Sequence, residues 1–201
     1  MILIGRNLSP YARRVAIWMA LQGRSFSRQE LAATDPKDAE AIRAYHPGTR
    51  VPALVLDDGS VLIDSFAICD FLDDTMPERR LVPASGEARR ACLQRMALAH
   101  ATTEKIVSLV YEKNRRPSEL HWSAWQDRVI GQIKGGLDAM EAAAADGFNG
   151  GEEPDGSDVA IVCAVDMIEA TNPLVADAPL SKLRALQRRA HGIEAFSATK
   201  P

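Results

Sequence analysis

Three short runs carry residue types suited to chemistry: Ser9-Pro10-Tyr11, Arg50-Val51-Pro52 and Asp64-Ser65. Serine is a favoured helix N-cap and proline a favoured first helical residue, so Ser9-Pro10 starts a helix whatever else it does. A helix start also presents free backbone N–H groups and a positive dipole end, which suit an anion. The serine hydroxyl is too weak an acid to exist as the alkoxide that a general base would require, but it donates a hydrogen bond to a thiolate. For a ligand thiol, a pKa lowered by about two units takes roughly 2.7 kcal/mol. A hydrogen bond to a charged group supplies roughly 1.5–3 kcal/mol, and a helix N-terminus about 0.3–1 kcal/mol, up to about 2 when sheltered. The two together suffice without a general base.

In Arg50-Val51-Pro52 the proline pushes Val51 towards an extended conformation, and Pro52 starts a strand where its missing N–H does least harm. A cis bond at Val51-Pro52 would leave the Val51 N–H and C=O free to pair with a peptide-like ligand as an added strand does. An ordinary edge-strand proline is the competing reading. Arg50 suits a carboxylate, or simply solvent. Asp64-Ser65 is again either a plain N-cap or an anion site, with Ser65 taking an α-carboxylate and Asp64 the neighbouring ammonium. The end group of an amino acid fits both halves.

Other side chains admit two readings each. Tyr11, Tyr111 and Arg115 offer phenols and a guanidinium to a second substrate, or else packing and solvation. Trp122 and Trp125 read as core or interface residues, and Arg13 and Arg14 as structural ion pairs or solvated groups. Cys69, Cys92 and Cys163 lie apart in apolar stretches, with no zinc or redox spacing, so buried thiols in a reducing, cytoplasmic setting are expected and no metal is implied. With 24 Lys and Arg against 27 Asp and Glu, net charge −3, bulk charge points to neither nucleic acid nor an anionic membrane. No apolar run reaches the length of a membrane span.

The elements that must position these residues fall into two groups. Met1 to Gly5 reads as a buried strand, followed by a helix from Tyr11, a strand over Ser25 to Leu31 and a helix over Pro36 to Tyr45. Ala53 to Leu56 and Ser60 to Ile63 flank Asp57-Asp58-Gly59, a strong hairpin signal, and Ser65 to Asp74 closes the unit as a helix. The series βαβαββα has the thioredoxin-like order, an α/β domain over residues 1–76. Pro77 to Ser85 reads as a linker. An all-α domain is then expected over 86–201, with helices at about 87–115, 118–145, 155–170 and 180–191 and a stop at Asn172-Pro173.

The three runs, in this order on three strand ends or helix starts, resemble the glutathione S-transferase superfamily, and within it bacterial serine-type members with a Ser-Pro-Tyr start. The glutathione site there combines a Ser, Cys or Tyr after strand one, a cis Val-Pro and an acidic-Ser pair. The resemblance implies a catalytic Ser9 that stabilises the glutathione thiolate and a Val51, ahead of Pro52, that pairs with the cysteinyl backbone. It also implies Asp64 and Ser65 on the γ-glutamyl end and Arg50 facing the glycine carboxylate. Asp155 and Asp158, spaced as a capping box, match the family's helix-start signature, a folding role. Two departures stand out: Asp64 is one methylene shorter than the Glu of many relatives, and Ser9 disfavours the mixed disulfides open to cysteine members. The implied activity is conjugation of glutathione, the cosubstrate, to a small, largely apolar electrophile by a cytoplasmic homodimer in detoxification. Isomerase or dehalogenase chemistry, or a non-catalytic interaction or stress-response module, are the alternatives.

Overall fold

The apolar run at the start of the chain forms β1 (Ile2–Ile4), whose Leu3 and Ile4 are fully buried. In this computed structural model residues 1–172 and 179–201 are described. They divide into two units, Met1–Ala84 with Gly192–Pro201, and Ser85–His191.

In the first unit β1 is followed by α1 (Pro10–Leu21), β2 (Ser27–Gln29), α2 (Ala39–Arg43), β3 (Ala53–Val55), β4 (Val61–Ile63) and α3 (Ser65–Asp74). This is the expected thioredoxin-like order. The strands lie β2-β1-β3-β4, with β1 parallel to β2 and antiparallel to β3, and β3 antiparallel to β4. Gly59, at φ +84°, turns the hairpin, where the Asp58 carboxylate accepts from Ser60 N at 2.9 Å.

Two elements are shorter than their patterns predict. β2 has three paired residues because β1 offers only three partners, Ile2 to Ile4. α2 starts only at Ala39; Asp38, in its N-cap position, makes no capping bond and instead accepts a loop hydrogen bond from Ala32 N at 2.7 Å.

Helix α1 is buried continuously from Ala12 to Met19, which fixes it as the centre of this unit's core. Near the end of α3, buried Asp73 accepts from Trp18 Nε1 at 2.8 Å, Gln22 Nε2 at 2.9 Å and Val82 N at 2.9 Å. One carboxylate therefore ties α1 to the segment after α3, and the first unit runs on to Ala84.

The last ten residues join this unit as well, whereas the sequence pattern ran the helical domain to the C-terminus. They contain α8 (Glu194–Ser197), with Phe196 fully buried. Arg13, buried in α1, donates from Nε to Thr199 O at 2.8 Å and from Nη2 to Phe196 O at 3.4 Å. A four-residue helix is too short to show a period, and nothing local marks its partner.

The second unit consists of α4 (Gly86–Asn114), α5 (Ser123–Ala143), α6 (Gly156–Thr171) and α7 (Ser181–His191). The predicted 118–145 helix begins late, since Ser118–Leu120 is a separate 3-10 turn. A Cβ on Gly136 of α5 would lie 2.2 Å from Thr102 Oγ1 of α4, so the two helices approach closely there. Glu141 of α5 caps α7, accepting from Lys182 N at 2.8 Å and Leu183 N at 2.9 Å. Asn172 ends α6, donating from N to Ile168 O at 2.8 Å, and Pro173 of the expected stop lies outside the described residues.

Helix α6 is buried from Gly156 to Ile168, and its start is the expected capping box. Asp155 accepts from Ser157 N at 2.7 Å and Asp158 N at 3.2 Å, and Asp158 accepts from Asp155 N at 2.9 Å. Asp158 also accepts from Asn149 Nδ2 at 2.7 Å and from Asn149 N at 3.0 Å, while burial pushes its carboxyl above the usual carboxylate range. Asp158→Ala strands these buried donors and is expected to cost about 2–4 kcal/mol in urea unfolding.

All three cysteines are buried thiols outside any disulfide. Burial, helped by the Asp155 charge, pushes the Cys92 thiol from 9.0 up to about 12. The unfolded thiol loses its proton first, so its linkage contribution to stability falls as pH climbs from about 9 towards 12. Maleimide at neutral pH is expected to label no cysteine in the native protein and all three in urea, as read by mass spectrometry.

Candidate functional site

The strand directions collect three chain breaks at one end of the sheet. The chain leaves β1, begins β3 and leaves β4 at that end, because β3 runs opposite to both neighbours. Ile4 stands beside Ala53, and Ala53 beside Ile63. At the usual strand spacing these three residues span about 10 Å. Ser9 follows the first, Val51 precedes the second and Ser65 follows the third.

Gly5, which sequence reasoning passed over, sets how closely these breaks meet. Its φ is +126°, and a Cβ there would lie 2.9 Å from Ala12 Cβ and 3.1 Å from Val51 Cβ. The start of α1 and the chain before β3 therefore both rest on a bare backbone. The available signal was a glycine closing a strand before a loop.

Ser9 is the N-cap of α1, with Pro10 as the first helical residue. Its Oγ accepts from Ala12 N at 3.3 Å, and the side chain is half-buried. The capping bond uses a lone pair, which leaves the hydroxyl proton for an acceptor outside the helix. Val51 lies two residues before the first paired residue of β3, and the Val51-Pro52 bond is cis. Pro52 is buried and Arg50 exposed.

Asp64 caps α3 from a positive φ of 70°, accepting from Phe66 N at 2.8 Å and Ala67 N at 3.4 Å. It remains exposed, while Ser65 is only 3% exposed. Arg14, expected among structural ion pairs or in solvent, is fully buried, and its Nη1 donates to Ser65 Oγ at 3.2 Å. Sequence offers no signal for this, since α1 carries two consecutive arginines in an otherwise apolar stretch.

Of the residues proposed for a second substrate, Tyr11 is half-buried in the first turn of α1. In the second unit Tyr111, 44% exposed, lies in the last turn of α4, and exposed Arg115 is its C-cap. Trp122 and Trp125 are 65% and 40% exposed, so of the expected core and interface readings the core one does not hold.

A cavity of about 660 Å³ opens between α1, β2 and the C-terminal segment, lined in part by Ala16, Ala20, Arg28, Glu30 and Ala198. It includes none of the predicted site residues. Among the described residues there is no cluster of three or more His, Cys, Asp or Glu fit for a metal, and no helix long and apolar enough to cross a membrane.

A thioredoxin-like unit with helix starts gathered at one sheet end, joined in sequence to a helical unit, defines the class of fold. The family described as "Glutathione S-transferase, N-terminal domain" matches residues 8–75, and "Glutathione S-transferase, C-terminal domain" matches residues 123–188. The chain belongs to the glutathione S-transferase superfamily. A glutathione S-transferase from Methylobacillus flagellatus, solved with glutathione bound, is 26% identical with a TM-score of 0.89, over 100% of this chain and 98% of that one. A glutathione transferase family member from Pseudomonas fluorescens Pf-5, also with bound glutathione, is 28% identical with a TM-score of 0.88, over 100% and 98%. A maleyl pyruvate isomerase, a bacterial zeta-class member, shares the fold at 23% identity and a TM-score of 0.81, over 100% and 97%. No curated protein matches the chain significantly in sequence.

Gly5→Ala should drive a methyl group against Ala12 and Val51 at a backbone angle that L residues avoid. A loss of more than about 2 kcal/mol in urea unfolding is the expected outcome.

Proposed function

We propose that the protein binds glutathione along this end of the sheet, ionises its thiol and transfers the thiolate to a small, largely apolar electrophile. The observation carrying this reading is the convergence of Ser9, Val51 and Ser65 at one sheet end of a superfamily member. An extended tripeptide is about 10 Å long, comparable with two strand spacings.

In this reading Ser65 and the α3 N-terminus take the γ-glutamyl carboxylate, and Asp64 takes its ammonium. Val51 pairs with the cysteinyl backbone, and Arg50 faces the glycine carboxylate. The Ser9 hydroxyl, already accepting from Ala12 N, turns its proton to the sulfur, and the start of α1 adds its positive end. The thiol proton goes to solvent and the thiolate forms a C–S bond to the electrophile. A leaving group then departs, or the carbanion formed by addition takes a proton. Tyr11, Tyr111 and Arg115 are the residues assigned to the electrophile. A cytoplasmic homodimer acting in detoxification completes the proposal.

Calorimetric titration with glutathione is the first test: binding at or below millimolar concentration is expected, and its absence would favour a non-catalytic module. Ser9→Ala should raise the pKa of the bound thiol by about one to two units, followed by thiolate absorbance, and lower kcat/KM roughly 10- to 100-fold. An unshifted pKa would remove Ser9 from the mechanism. Ser65→Ala should instead raise KM for glutathione with kcat little changed, because its contact lies far from sulfur in ground and transition states alike.

A further inference from the structure

Arg14 is fully buried in α1, and a buried arginine is normally matched by a carboxylate. Here Nη1 donates to Ser65 Oγ at 3.2 Å, and the guanidinium lies over the Phe66 ring, 4.7 Å from its centroid. Its Nε and Nη2 are buried without a hydrogen-bond partner. A guanidinium keeps its charge inside a protein, so this cation is neutralised by no bonded anion among the described residues.

The consequence falls on Ser65. Its hydroxyl oxygen accepts from Arg14, and the hydroxyl proton turns away from the positive charge behind it. Ser65 is also the first residue of α3, a ten-residue helix whose N-terminus carries its own positive end. Helix end, hydroxyl proton and buried guanidinium then act in one direction on a group approaching Ser65. The residue before Ser65 in the chain is an acid, Asp64, exposed and bonded to Phe66 N and Ala67 N. One cation behind Ser65 and one anion beside it match the carboxylate and ammonium of a zwitterionic amino-acid end.

We infer that Arg14 is a positioning residue that makes the Ser65 end of the site selective for a carboxylate, acting through Ser65 without touching the ligand. This rests on the reading that Ser65 receives the γ-glutamyl carboxylate of glutathione. The pairing with Asp64 makes selection for a zwitterion, rather than for negative charge in general, the property of this end.

The test compares glutathione with an analogue whose γ-glutamyl α-carboxylate is a primary amide, by calorimetry on the full chain. The wild-type protein should prefer glutathione at least roughly tenfold, and Arg14→Met should lose about that factor for glutathione while binding the amide within about twofold of wild type. Ligand-free Arg14→Met should melt at or above the wild-type temperature, because a buried cation with two unbonded nitrogens is gone. A purely structural role would lower melting temperature and both affinities together, and that result overturns the inference, as does unchanged discrimination. Should Arg14→Met fail to fold, Arg14→Lys keeps the charge and must keep a preference for the carboxylate; its loss overturns the inference. If wild type binds no glutathione at all, the functional reading falls and takes this inference with it. Wild-type binding with no role for Arg14 defeats the inference alone.

Discussion

The two kinds of pairing made by β1 govern the rest of the first unit. A parallel partner on one side obliges the chain to cross over through α1, and an antiparallel partner on the other reverses β3. Every loop that leaves β1, reaches β3 or leaves β4 then falls at the same end. Three stretches that are tens of residues apart in the chain become neighbours through strand direction alone. Gly5 lets them close in, since any side chain at that point would meet α1 and Val51 together.

Helix capping appears in both units with opposite consequences. At α6 both carboxylates of the box are buried and bonded to backbone N–H groups, Asn149 and Arg95, so their capacity is used within the fold. At α1 and α3 the capping residues retain something to offer. Ser9 has accepted a bond but still holds its proton, and Asp64 is exposed while Ser65 is buried against a cation. The same residue chemistry is structural where it is enclosed and available where the helix start faces open space.

Long or strongly patterned elements were legible in the sequence: the Asp-Gly hairpin, α3, α4 and α6 lie within a residue or two of their expected spans, and α1 begins within one residue of its expected start. What failed was whatever depended on a partner. β2 is cut to the length of β1, α2 loses its cap to a loop contact, and α8 exists because Phe196 and the carbonyls around it meet Arg13. Arg13 and Arg14 show the limit most clearly. Residue type left them between structural ion pairs and solvent, and both lie in the core, bonded to acceptors more than fifty residues away in sequence.

Residue type and local spacing alone determined the order of elements, the helix starts at Ser9, Ser65 and Asp155, and the resemblance to the glutathione S-transferase superfamily. These rest on capping, turn and periodicity rules that act over a few neighbouring residues. Tertiary structure alone decided that the last ten residues return to the first unit, that Gly5 is a point of contact, and that a buried arginine stands behind Ser65. Each of these is a meeting of groups distant in the chain, and no local propensity encodes which distant group will be there.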